Sequence, residues 1–382
     1  MEVLSPYKEA TDVILEAGGE PLRLCYQCGI CTGNCPWNLV RSFIVRRIIH
    51  EAQLGATDFE SEELWLCATC RACVQSCPRG VEIIDVMRAM RRAVVSLGVG
   101  AVPDALRISV KNIAGAGNPF GQEPGKRDDW AKDLGVKKST PGTELSFFPC
   151  CFSIYEPAER GIALATVDIL KKVQMDFGIL GSKENCCGEA TRKLGNEDVF
   201  QTLARNNIGA FVESGVKKVL VSSPHCYHTF KNEYPEFGGK FEVIHSSQLL
   251  LDLIKEQRIK FTRELNKRVT YQDPCYLGRH NGIYDDPRQV LRSIPGLELV
   301  EMPDSRENSL CCGGGGGGIW MEVKKEERFG DLRLQQALAT GAEVLGVACP
   351  YCMCMFKDSQ LRVDKGETIE IRDITELVRE AM

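Results

Sequence analysis

CYQCGICTGNCP runs from Cys25 to Pro36, and CATCRACVQSCP runs from Cys67 to Pro78. Both read C-x2-C-x2-C-x3-C-P. An iron–sulfur cubane needs four thiolates around a compact cluster. In this doubled spacing three close cysteines wrap one cluster, and the fourth is aimed away to ligate the other. The spacing predicts one cubane on Cys25, Cys28, Cys31 and Cys77, and a second on Cys67, Cys70, Cys73 and Cys35. Structural zinc sites more typically show separated C-x2-C pairs, so the cluster reading is favoured. Around these runs the pattern is helical. WNLVRSFIVRRIIHEAQLG (37–55) has apolar residues at 40, 44, 45, 48 and 49, and VEIIDVMRAMRRAVVSLG (81–98) also reads as helix. Residues 1–97 are therefore expected to form a helical two-cluster module. Arg41, Arg46, Arg47, Arg71 and Arg79 lie near the runs. They either offset cluster charge or form a solvated basic face.

The whole chain has 382 residues, enough for two or three domains. Its net charge is −5, so no basic footprint points to nucleic acid. MEVLSPYKEATDVILEAGGE (1–20) shows no secretion-signal pattern. The longest apolar stretches are broken by charges short of the roughly 18 residues of a membrane span. The expectation is a cytoplasmic chain with no direct membrane insertion, reaching a membrane only through a partner. Cysteine is the outlier, at 19 residues. An odd count in close-spaced groups favours metal ligation over a disulfide framework.

Residues 98–143 are richer in Gly and Pro, as in AGAGNPFGQEPGKRDDW (114–130), and read as a connector. The remainder repeats itself. Cys151 recurs at Cys275, Cys186-Cys187-Gly188 at Cys311-Cys312-Gly313, and Cys226 at Cys352, at a nearly constant separation. Apolar β-type runs lead into the cysteines: ELSFFPC (144–150), KKVLVSSPHC (217–226), KRVTYQDPC (267–275) and EVLGVACPYC (343–352). Amphipathic stretches such as 159–174 and 197–215 lie between them. An internal duplication is expected, with repeats at 144–262 and 263–382, each α/β with a largely parallel sheet. Cysteines at strand ends would line a crevice beyond the sheet edge. The fold class is thus α+β and multidomain.

The second repeat gathers Cys275, Cys311-Cys312-Gly313 and Cys349-Pro350-Tyr351-Cys352, with six glycines at Gly313–Gly318. ENSLCCGGGG (307–316), DPCYLGRHNGIYDDPR (273–288), ACPYC (348–352), ENCCGEATRKLGNE (184–197) and PHCYHTFKNEYPEFGG (224–239) resemble the CCG cysteine-rich domain of the heterodisulfide reductase family. Nearly the whole chain is similar to its D-type subunit, in which a C-like, α-helical ferredoxin-like module with two [4Fe–4S] cubanes precedes a B-like CCG module. The resemblance implies a noncubane [4Fe–4S] cluster on Cys275, Cys311, Cys312, Cys349 and Cys352, as the reactive centre. In the first repeat the motif calls for a cysteine at 223, where this chain has Ser223. Cys151, Cys186, Cys187 and Cys226 remain, with Cys150 beside them as a substitute. A different cluster, a zinc ion and an empty relic stay open for this site. Cys354 has no place in the motif and reads as a packed or free thiol. His225, His228, His245 and His280 flank the motifs. Each either serves a cluster or simply packs.

What the resemblance implies is an iron–sulfur electron-transfer subunit of a larger anaerobic redox complex. Its expected partners are a flavin-containing A-type subunit, a membrane cytochrome-bearing subunit or a ferredoxin. The alternative is a thiol/disulfide reductase acting on a small disulfide. No flavin or nicotinamide fingerprint is visible, and the glycines after Cys312 lack the GK[ST] of a phosphate loop. Glycine suits backbone that approaches a ligand closely, so Gly313–Gly318 is expected to wrap the second-repeat cluster.

Overall fold

A computed structural model describes residues 6–382. Met1–Ser5, the start of the stretch read as lacking a secretion signal, lies outside the described residues. The chain divides into two compact units that alternate along the sequence. The first comprises Met1–Lys111, Ala190–Phe200 and Gly313–Phe329; the second comprises Asn112–Glu189, Gln201–Cys312 and Gly330–Met382. Among the described residues no helix is long and apolar enough to cross a membrane.

The first unit is helical. The helix Val45–Leu54 buries Val45, Ile48, Ile49 and Ala52, the stripe its periodicity predicts. It stops at Gly55, whose φ of 65° is left-handed and whose added Cβ would meet the Tyr7 carbonyl oxygen at 1.7 Å. The helix Ile83–Leu97 carries Ile84, Met87, Ala89, Met90, Ala93 and Val94 inward and likewise ends at a left-handed glycine, Gly98. Its Arg91 is 1% exposed. A buried guanidinium is tolerated only when its donors are used. Arg91 donates to the carbonyls of Leu64 (2.7 Å), Cys67 (3.0 Å), Lys193 (3.1 Å) and Gly316 (3.1 Å). It thereby fastens three separate chain segments into one unit.

Part of the glycine run has neighbours its sequence did not announce. A Cβ on Gly315 would stand 2.4 Å from the Ala68 carbonyl oxygen, and one on Gly316 would stand 2.2 Å from that of Cys67. On Gly317 it would meet Leu106 at 2.8 Å and Leu194 at 2.9 Å. Gly316 and Gly317 also take φ values of 58° and 93°. Gly315 and Gly316 are thus required by close approach to the loop Cys67–Thr69.

The second unit holds two four-stranded parallel sheets. Strands β1 (Leu145–Phe148), β2 (Phe177–Gly178), β3 (Lys218–Val221) and β4 (Glu242–His245) run in the order β2-β1-β3-β4. Strands β5 (Lys267–Tyr271), β6 (Leu297–Val300), β7 (Val344–Val347) and β8 (Glu370–Asp373) run β6-β5-β7-β8. The orders are the same, and every pairing is parallel. β1 and β7 are buried throughout, as central strands covered on both faces must be. The repeats also share a device after their last strands. His245 caps the helix Ser246–Lys255 and Asp373 caps Ile374–Ala381, each through a capping box.

Candidate iron–sulfur centres

In the first unit the two four-cysteine runs adopt matching backbones. Gln27 and Thr69, and Gly29 and Arg71, all take positive φ. Such turns point successive N–H groups inward, which suits an anionic cluster. Cys35 leaves its own run: after burial, the sulfur of Cys70 does most to raise its thiol, followed at lower rank by Cys67 and Cys31. Cys73 is raised well above the ordinary thiol range by burial, then by Cys67, Cys70 and Cys35. A largely apolar cavity is lined by Cys35, Cys67, Cys70 and Cys73, together with Trp37 and Met87. Raised thiols keep their protons until a cationic metal displaces them, and four gathered in one pocket offer such a metal a complete ligand set. The cavity and its all-sulfur donor set fit a cubane.

The other set is more open. Cys28 is exposed, and Cys25, Cys31 and Cys77 are half-buried. Cys31 is raised by burial and then by Cys25. The Tyr26 phenol feels both Cys28 and Cys77, so Cys77 comes to this group. Val81 donates its N–H to the Cys77 sulfur at 3.4 Å. Of the five arginines singled out in the sequence, Arg41 pairs with Glu327, Arg47 with Glu63, and Arg71 with Glu82. Arg46 and Arg79 are exposed.

In the second unit all the repeat cysteines follow strand ends. Cys150 and Cys151 follow β1, Cys226 follows β3, Cys275 follows β5, and Cys349 and Cys352 follow β7. The loops after β2 and β6 bring Cys186-Cys187 and Cys311-Cys312. The first-repeat loop is held by Asn207, whose amide donates to the Cys186 carbonyl at 3.1 Å, and by Tyr234, whose hydroxyl donates to the Cys187 carbonyl at 3.0 Å. The second-repeat loop is held by buried arginines. Arg279 donates to the Ser309 carbonyl at 2.7 Å, and Arg333 donates to the Ser309 hydroxyl at 3.0 Å and to Gln272 at 2.6 Å.

The sulfurs then meet. Cys226 lies 3.5 Å from Cys187, and Cys352 lies 3.5 Å from Cys312. Cys151 is hydrogen-bonded to Cys186, and Cys349 to Cys352. Cys275 and Cys311 are buried at the same end of their sheet. The Arg127 guanidinium, 3% exposed, reaches the Cys151 sulfur at 3.4 Å and Glu184 at 3.2 Å. In the second repeat Arg288 clasps Asp273 through two bonds of 2.6 and 2.8 Å, just ahead of Cys275. Cys354 is half-buried, and burial pushes its thiol up to about 12. It stays a protonated thiol.

An aromatic seam joins the two repeats of this unit. His225 stacks on Tyr276 with ring centres 4.1 Å apart and tilts over Tyr351 at 4.4 Å. Phe152 meets Tyr351 edge-on at 4.8 Å. The matching positions of the two repeats therefore contact each other crosswise. His225 ion-pairs with Glu189 at 3.3 Å and hydrogen-bonds the Cys349 sulfur. Burial alone would lower His225, but Glu189 and then Cys349 raise it to about 10. The ring thus lies between the Glu189 carboxylate and a second-repeat sulfur, both of which favour its charged form. His228 and His280 pack edge-on at 4.9 Å, while His245 is a cap that burial lowers to about 3. Sequence reasoning missed Arg91, Arg127 and Glu189. Glu184 and Glu189 bracket Cys186-Cys187 and carried a signal; Arg127, in the connector, carried none.

Residues 24–82 match the 4Fe-4S dicluster domain family, and residues 145–231 and 269–357 match the cysteine-rich domain family CCG. The chain is 36% identical to the D-type subunit of the dihydromethanophenazine:CoB--CoM heterodisulfide reductase of Methanosarcina barkeri, over 94% of each chain. It is 37% identical to the probable iron-sulfur-binding oxidoreductase FadF of Bacillus subtilis, over 84% of this chain and 47% of that one. It is 35% identical to the EtfAB:quinone oxidoreductase of Syntrophomonas wolfei, over the same shares. The chain thus spans about half the length of these last two relatives. It belongs to the family of D-type heterodisulfide reductase subunits, which are CCG-domain iron–sulfur proteins.

Proposed function

We propose that the chain is an iron–sulfur electron-transfer subunit of a larger redox complex, with cubanes on Cys25, Cys28, Cys31, Cys77 and on Cys67, Cys70, Cys73, Cys35, and a noncubane cluster on Cys275, Cys311, Cys312, Cys349 and Cys352. The observation that carries the reading is the crossing of Cys35 into the sulfur-lined cavity of Cys67, Cys70 and Cys73, the ligand exchange that a two-cluster module needs. Clusters held by such thiolates take up and give back single electrons. The residues around them do the rest. Trp37, Phe43 and Met87 keep water from the second set, while Cys28 and Tyr26 leave the first set open to a partner. Donor or acceptor is another redox subunit, flavin-containing or cytochrome-bearing, or a ferredoxin.

One observation favours a second reading, reduction of a small disulfide. His225, 3.3 Å from Glu189 and in contact with Cys349, is placed to deliver a proton to a departing thiolate. Two electrons and two protons convert a disulfide to two thiols, and a single histidine supplies one proton at a time. The test is spectroscopic. Dithionite-reduced protein should give EPR signals of two interacting cubanes, with at least about twelve iron and twelve sulfide per chain. About eight iron with stoichiometric zinc would rule out the noncubane assignment. New signals in the oxidised protein only when a thiol is added would favour the second reading.

A further inference from the structure

The first repeat lacks the cysteine that its counterpart has at Cys349, and the sheet shows what stands beside the gap. In β1 and β3, Phe147 pairs with Leu220 and Phe148 with Val221. Both strands end there. Two residues on, Cys150 leaves one strand and Ser223 leaves its neighbour, at the same level of the sheet. With Cys151 matched to Cys275, the second repeat has Pro274 and Cys349 at these two places. A thiol has changed strands.

Cys150 is 4% exposed and hydrogen-bonded to Cys226. From there the sulfurs run without a break, from Cys226 to Cys187 at 3.5 Å, Cys187 to Cys186, and Cys186 to Cys151. Arg127 closes the run on Cys151. The Ser223 hydroxyl is fully buried and has no hydrogen-bond partner. A neutral core would rather hold an alanine there, because an unsatisfied buried hydroxyl costs about 1–3 kcal/mol. Five thiols exceed what tetrahedral zinc can use. They are also not disulfide-bonded.

We propose that Cys150 supplies the fifth thiolate of the first repeat in place of the ligand Ser223 cannot give, so that this repeat also holds an iron–sulfur cluster, on Cys150, Cys151, Cys186, Cys187 and Cys226. The proposal rests on reading the CCG repeats as cluster sites. Each thiol gives up its proton on binding iron, and the Arg127 guanidinium balances part of the resulting charge. The Tyr351 ring from the second repeat lies close enough to Cys150, Cys186 and Cys187 to feel their charge, which places this group against the aromatic seam.

The experiment uses the full chain purified without oxygen. Iron and acid-labile sulfide are counted for the wild type, Cys150→Ala, Ser223→Ala and the double variant Cys150→Ala/Ser223→Cys. About sixteen of each are expected in the wild type. Cys150→Ala should fall to about twelve, Ser223→Ala should keep sixteen, and the double variant should regain the lost four. About twelve in the wild type, with or without zinc, overturns the proposal. So does iron loss in Ser223→Ala with retention in Cys150→Ala, or failure of the double variant to recover. If Cys150→Ala does not accumulate, Cys150→Ser is counted instead, with the same fall to about twelve expected and retention of about sixteen overturning the assignment of Cys150. Cubane EPR signals should be the same in all four proteins. Their absence from the wild type would count against the electron-transfer reading, and the ligand question would then be decided by whether Cys150→Ala loses about four iron relative to the wild type.

Discussion

The two CCG repeats have the same strand order and the same capped helix after the last strand, yet they secure their cysteines differently. In the first repeat a buried arginine touches a sulfur directly: Arg127 on Cys151, backed by Glu184. In the second repeat the buried arginine is one step removed: Arg288 clasps Asp273, which precedes Cys275. The stretches after the Cys-Cys pairs diverge further. After Cys187 the chain turns into the short helix Glu189–Lys193, whereas after Cys312 it becomes a glycine ribbon with left-handed turns. The comparison teaches that duplication preserves the sheet, because register and burial leave few alternatives. The loops that hold ligands are free to change, since they answer only to local partners.

The sharpest way to break the comparison is at the ribbon. Gly316→Val places a β-branched side chain at φ 58°, 2.2 Å from the Cys67 carbonyl oxygen. A cost of about 4–6 kcal/mol is expected from backbone strain and overpacking together. EPR should show loss of the cubane on Cys67, Cys70, Cys73 and Cys35, while iron in the repeats persists. Loss of repeat iron alone would return the glycines to the role first expected of them.

Next come the two arginines. Arg288→Met takes the countercharge from buried Asp273, which keeps only the Arg306 backbone N–H at 2.7 Å, and should lower stability by about 3–5 kcal/mol in a denaturant titration with little change in iron. Arg127→Met should lower stability comparably, because Glu184 is stranded, and should also shed first-repeat iron, because a cation beside Cys151 is gone. Equal iron in both variants would erase the distinction between direct and indirect support.

The smallest effect is the share of the pH dependence carried by Glu159 of the first repeat, beside the one carried by Asp373 of the second, which burial raises to about 8. Burial raises Glu159 to about 7 from an ordinary 4.5, partly relieved by Lys357 at 3.5 Å. A carboxyl raised on folding binds more protons in the native state. Stability from it is therefore full below about pH 4.5 and falls as pH climbs toward 7. Denaturation midpoints across this range should show a loss on the order of 1–2 kcal/mol in the wild type. Glu159→Gln should make the curve shallower, leaving the slope that Asp373 carries.

Much of this was legible in sequence. The cubane runs announce themselves because their ligands are local and their spacing is fixed by the size of a cluster. The strands leading into cysteines were readable because a buried parallel strand is a run of apolar residues, as in VLGV of β7. β2, only two residues long, offered no such run. Arg127 could not be read, since its partner Glu184 lies 57 positions away, and Arg91 reaches Gly316 across 225. Partnerships of that range leave no periodicity. The approach of the glycine ribbon to the Cys67 loop was hidden for the same reason. Six glycines declare a close approach but not what is approached.

By itself the sequence displayed two four-cysteine runs with the spacing of a two-cluster module, a duplicated second half, and Ser223 where the motif of the first repeat calls for a cysteine. Ligand type and spacing are chemical constraints on neighbouring residues, and they survive in one dimension. Only the tertiary structure decided that Cys150 stands level with Ser223, that Arg91 binds three chain segments together, and that the glycines serve the Cys67 loop. Each depends on which strands and turns become neighbours, and that is set by the packing of the whole core.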